Sequence, residues 1–165
     1  MNNNYHKGIS VAIVMGSEND LDHAQRIREE LGKWKISSFF RIGSAHRTLS
    51  HVMSIVNELN ESKDNILIIS IAGGTDALSG VLAANSRWPV VSCPPNEKHV
   101  ASCLGNPRGT SNATILKPVN AARFAAQYFS AREKDLLDKL FEQISQKKKE
   151  VVEADKLCVK GIKAK

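Results

Sequence analysis

Residues Ile66–Ala72 read ILIISIA, seven positions with Ser70 as the single polar side chain. A run so short and so continuously apolar has no solvent-facing side, so it reads as a strand covered on both faces, the pattern of a parallel sheet between helices. Ser10–Met15 (SVAIVM) and Pro89–Cys93 (PVVSC) have the same character, and Ile36–Ile42 (ISSFFRI) and Ala113–Leu116 (ATIL) are weaker candidates for two more strands. Between the runs, Asn19–Lys33, His46–Asn60 and Thr75–Ser86 carry apolar residues at helical spacing, as in Leu49, Val52, Met53, Val56 and Leu59. Strands alternating with helices predict right-handed crossovers and an α/β fold: a three-layer αβα sandwich with a parallel sheet, Rossmann-like or flavodoxin-like.

After Pro118 the helical period restarts at Asn120–Ser130 and continues through Leu136, Leu137, Leu140, Phe141, Ile144, Val151 and Val152. The chain therefore reads as one domain over residues 1–165, with an α/β core at 9–130 and a helical extension at 131–160. So long an amphipathic helix has to cover its apolar stripe, and another subunit is the expected cover. The final GIKAK is expected to fray.

Composition narrows the function classes. At 165 residues and 42% apolar content the chain can build one substantial core. No stretch approaches the roughly 20 apolar residues of a membrane span, and the opening MNNNYHKG lacks a secretory apolar region, so a soluble cytoplasmic protein is expected. Cys93, Cys103 and Cys158 are odd in number and form no C-x-x-C pair, which speaks against a disulfide framework or a zinc site. The net charge of +6 is spread evenly: ten Lys/Arg stand against seven Asp/Glu from Ala131 onward, and thirteen against ten before it. Lys147, Lys148 and Lys149 are followed by Glu150, Glu153 and Asp155, a solvated helical face and not a nucleic-acid arm. A modest positive field suits a phosphorylated small molecule.

In a parallel α/β sheet, ligands bind beyond the carboxyl ends of the strands, where loops enter helix N-termini with unpaired amides. The polar and glycine residues fall there: Gly16-Ser17-Glu18-Asn19-Asp20, then Gly43-Ser44-Ala45-His46-Arg47-Thr48, then Ala72-Gly73-Gly74-Thr75-Asp76. Ser17, Asn19, Asp20, Ser44 and Thr75 are also good helix caps. Neither GxGxxG nor GxxxxGK[ST] is present, so neither a dinucleotide fingerprint nor a P-loop is supported. His46 beside Arg47 is the most informative pair: a guanidinium fork with helix amides holds phosphate, and an adjacent imidazole is placed to move a proton. His6, His23 and His51 read as exposed or packed residues, His99 could reach the same rim, and the spacing gives no metal triad.

The motifs MGSEND (Met15–Asp20), GSAHRT (Gly43–Thr48), IAGGTDALSG (Ile71–Gly80) and SCPP (Ser92–Pro95), spanning about residues 9–130, resemble the phosphoribosylaminoimidazole carboxylase and mutase family. The resemblance implies a three-layer α/β fold and a site in which Gly16, Ser17 and Asp20 bind ribose and phosphate, and Ser44, Ala45 and Arg47 hold the phosphate. It further implies that His46 is catalytic, that Ala72, Gly73 and Gly74 surround base and carboxylate, that no metal or organic cofactor is used, and that subunits form tetramers or octamers. Family members act on a nucleotide and carbon dioxide: one branch carboxylates 5-aminoimidazole ribonucleotide (AIR) directly to 4-carboxy-AIR (CAIR), and the other rearranges N5-carboxy-AIR. SCPP, the segment ILKPVNAARFAAQYFS and the long last helix resemble the direct carboxylases, with the mutase and a divergent nucleotide-binding homologue as alternatives. The chain departs from the pattern at Asn19 (usually Ser), at Gly74 (usually Arg in direct carboxylases), at Ala77, near which mutases carry His, and in the 102–109 loop, where Arg108 is a candidate replacement for the missing charge.

Overall fold

The computed structural model describes residues 5–161; MNNN and the last four residues of GIKAK, 162–165, lie outside them. The chain divides into two compact units, residues 1–125 and 126–165. In the first, all five expected strands join one parallel sheet in the order β2-β1-β3-β4-β5. They are β1 (Ile9–Met15), β2 (Ser37–Ile42), β3 (Asn65–Ile71), β4 (Val90–Ser92) and β5 (Ala113–Thr114). The two apolar runs β1 and β3 lie side by side at the centre, paired from Ile9↔Asn65 to Met15↔Ile71.

Strand alternation divides the core. Ala12 and Val14 of β1, Ile66 and Ile68 of β3 and Val90 of β4 pack with Val52, Ile55, Val56 and Leu59 of α2 (Leu49–Asn60) and with Leu78 and Leu82 of α3 (Leu78–Asn85). The intervening Val11, Ile13, Leu67 and Ile69 are fully buried on the other face. The chain steps one way from β1 to β2 and the other way from β2 to β3, so right-handed crossovers put α1 (Leu21–Lys33) on the face opposite α2 and α3. There α1 buries Ala24, Ile27 and Leu31. On the edge strand β2, Arg28 lies 3.4 Å over the Phe40 ring and Arg41 pairs with Glu58, which blunts an otherwise open edge.

Several element ends differ from the expectation, and three of them trace to loop interactions. The strand expected at Ala113–Leu116 keeps two residues, because its partner β4 ends at Ser92 and runs into Pro94 and Pro95, which have no N–H to donate. Helix α2 starts at Leu49 and not at His46: Arg47 N and Thr48 N both donate to Ser44 O, and Thr48 Oγ1 accepts from Ser44 N at 3.0 Å, closing a turn before the helix. Helix α3 starts at Leu78 and not at Thr75, because Asp76 Oδ1 accepts from Ser79 N at 2.9 Å. Asp76 therefore takes the capping place expected of Thr75, and Ser44 caps no helix. Ser17 does act as a cap, accepting from Asn19 N at 3.2 Å ahead of a short 3-10 turn, Glu18–Asp20.

The second unit contains the end of α4 (Pro118–Ser130) and α5 (Lys134–Val159), the long last helix. Leu136 and Leu140 of α5 are buried, whereas Leu137, Phe141, Ile144, Val151 and Val152 are exposed. No described helix is long and apolar enough to cross a membrane.

Candidate active site

The strands β1 and β3 are neighbours whose following connections diverge, the place where open α/β sheets leave a crevice at their carboxyl ends. A cavity of about 580 Å³ opens there. Gly16, Ser17, Asn19 and Asp20 line it from the β1 loop, Ser44, His46 and Arg47 from the β2 loop, and Ala72, Gly73, Gly74 and Thr75 from the β3 loop.

Backbone bonds bring these loops together: Gly16 N donates to Ile71 O and Gly43 N to Met15 O, both at 2.8 Å. At Gly43 a Cβ would stand 2.9 Å from Val52 Cγ2 and 3.2 Å from Ile55 Cδ1, so glycine is what lets the Ser44–Thr48 turn sit tightly on α2. That turn leaves His46 and Arg47 exposed on the rim.

Asp20 behaves differently. It is buried and places Oδ1 3.1 Å from where a Cβ on Gly73 would be. Desolvation holds its carboxyl above the usual value of 3.8, only partly offset by the Ser17 N–H. Asp20 thus forms a polar floor between the β1 and β3 loops. Gly74 has open space, with nothing within 4 Å of a Cβ. Behind the floor, His23 Nε2 lies 3.6 Å from Cys93 Sγ, and both groups are buried. Burial, with Arg26 nearby, pushes the His23 pKa down, and burial pushes the Cys93 thiol up to about 12, so this sulfur is packed and unreactive at neutral pH.

Nine of the residues singled out from sequence line this cavity: Gly16, Ser17, Asp20, Ser44, His46, Arg47, Ala72, Gly73 and Gly74. Ala45 does not line it. Its side chain packs on the core beneath α2 and α3, because the turn that raises Ser44 and His46 points the intervening residue inward. Arg108 is exposed and does not line the cavity either. Asn19 and Thr75, which the sequence offers as helix caps within the same rim loops, also line it. Among the described residues, no three His, Cys, Asp or Glu side chains group as a metal site would need. Arg47, serine hydroxyls and loop amides can hold an anion, and His46 can exchange a proton with whatever they hold.

A parallel α/β sheet with one guanidinium, one imidazole and a glycine-rich wall around its switch-point cleft is of the class of folds that can hold a small anionic molecule there. Residues 10–150 match the family model described as AIR carboxylase, and the chain belongs to that family of purine-biosynthesis enzymes. It is 37% identical over 150 residues to the phosphoribosylaminoimidazole carboxylase of Treponema denticola, covering 88% of this chain and 94% of that protein. It is 31% identical to the Archaeoglobus fulgidus phosphoribosylaminoimidazole carboxylase, covering 90% and 84%. The bifunctional carboxylase/succinocarboxamide synthetase of Mus musculus is 36% identical over 124 residues, 72% of this chain and 29% of that longer protein. The crystal structure of Treponema denticola PurE superposes with a TM-score of 0.85 at 35% identity, covering 90% of this chain and 97% of that one.

Proposed function

We propose that this chain carboxylates AIR at C4 with carbon dioxide to give CAIR in de novo purine biosynthesis, with no metal or organic cofactor. The observation that carries the reading is the shared cleft: His46 and Arg47 line it together with Gly73 and Gly74. In this reading Arg47, with Ser17 and Ser44, grips the phosphate, and Asp20 meets the ribose. The aminoimidazole ring is enamine-like, so C4 attacks carbon dioxide once the two are held together. The new C–C bond forms as one C=O π pair moves to oxygen, and amides of the Ala72–Gly74 loop stabilise the resulting carboxylate. His46 then takes the C4 proton, and the C–H electron pair restores ring aromaticity.

The exposed stripe of α5, Leu137, Phe141 and Ile144 with Val151 and Val152, favours a homo-oligomer, a tetramer or octamer, working in the cytoplasm. The deciding experiment incubates pure protein with AIR and bicarbonate, and separately with N5-carboxy-AIR. CAIR from the first mixture supports direct carboxylation. CAIR from the second alone makes the chain a mutase, and turnover of neither leaves a nucleotide-binding homologue.

A further inference from the structure

We infer that Asp76 and Ser102 are a positioning pair, which fastens the glycine wall of the cleft to the Val100–Asn112 segment so that the two hold one geometry. Asp76 directly follows Thr75, the last lining residue of that wall, and is itself buried. Its carboxylate is held on both oxygens: Oδ1 accepts from Ser79 N at 2.9 Å in α3, and Oδ2 accepts from the Ser92 hydroxyl at 2.7 Å at the end of β4. Its backbone N–H donates outward, to Ser102 Oγ at 2.8 Å. The Ser102 hydroxyl in turn donates to His99 O at 2.6 Å. One serine oxygen therefore joins the wall of the cleft to a turn 26 residues further on.

The far segment is tied together by its own hydrogen bonds. Asn112 Nδ2 donates to Cys103 O at 3.2 Å, and Asn106 Nδ2 donates to Asn112 Oδ1. Asn106 also lies so close to α3 that a Cβ on Gly80 would meet its Oδ1 at 2.5 Å. The segment is thus pinned to α3 at Gly80 and to the wall at Asp76. Amides stabilise a developing charge only when their direction is fixed in advance. A wall made of two glycines and a threonine has no large side chain to fix it, so its aim depends on how Asp76 is anchored.

This inference rests on the reading of the cleft as a substrate site. Removing one neutral hydrogen bond is worth about a three- to tenfold effect. In Ser102→Ala, hydrogen exchange should quicken by that factor in peptides covering both residues 73–79 and residues 99–106, and stay unchanged elsewhere. The kcat for AIR carboxylation should fall by a similar factor with KM unchanged, because the amides act on charge formed in the transition state while the phosphate grip is untouched. Ser102→Thr, which keeps the hydroxyl, should restore both. Faster exchange in residues 99–106 alone, or in both peptides with kcat unmoved, overturns the inference. If the wild-type chain turns over neither substrate, the carboxylase reading fails, and coupled or uncoupled exchange still decides the latch.

Discussion

A Gly43→Ala substitution tests the most exacting contact behind the site. The added Cβ would meet Val52 Cγ2 at 2.9 Å and Ile55 Cδ1 at 3.2 Å, distances at which the neighbours have to move. Val52 and Ile55 are both fully buried in the layer under α2, so neither can swing into solvent. Overpacking of this kind costs roughly 1–3 kcal/mol, and for a chain of this size each kcal/mol lowers Tm by roughly 2–4 °C. A drop of roughly 2–12 °C follows from the two ranges. The control is Gly74→Ala, where nothing lies within 4 Å of a Cβ and Tm should hardly change. Gly43→Ala combined with Val52→Ala should cost less than the two single changes summed, because the second removes the atom the first strikes. Thermal melts of the four variants decide it. Equal Tm for Gly43→Ala and Gly74→Ala, or simple additivity with Val52→Ala, would refute the steric account of the turn that carries His46.

The remaining predictions concern chemistry, charge and assembly. His46→Asn should lower turnover by about two to four powers of ten with the melt unchanged, as expected for loss of a general acid–base; near-normal turnover removes His46 from the mechanism. The buried Asp20 carboxyl has its folded pKa raised above 3.8, so the unfolded chain gives up that proton first, and stability is lost as pH rises from 3.8 through the folded value. Asp20→Asn should therefore melt no lower than wild type at pH 7, with the advantage fading below pH 3.8, while nucleotide affinity falls; a lower melt at pH 7 contradicts the burial argument. His23 has its pKa lowered from 6.5, so the unfolded chain binds a proton the folded chain resists, and stability falls as pH drops below 6.5. His23→Gln should flatten that limb of the stability curve, and an unaltered limb would assign it elsewhere. Leu137→Ser with Phe141→Ser should reduce the sedimenting mass if α5 forms a subunit contact; an unchanged mass excludes this stripe from the assembly.

Much of this protein is legible in one dimension. The five strands, the order of helices and the three rim loops follow from periodicity, and periodicity is local: ILIISIA at Ile66–Ala72 is apolar on both sides whatever the rest of the chain does. The pairing of His46 with Arg47 was likewise visible, because neighbours in a strand-to-helix turn share a rim. Tertiary structure decided the properties that depend on distant residues. Ala45 turned into the core because a turn alternates direction, and Asp20 became a desolvated floor because the β3 loop covers it. Asp76 became an anchor only when Ser92 and Ser102, far along the chain, came within hydrogen-bonding distance. Sequence fixes which groups are available at the carboxyl edge of the sheet; packing sets which of them lose water, and solvation and hydrogen bonding then determine their charge and aim.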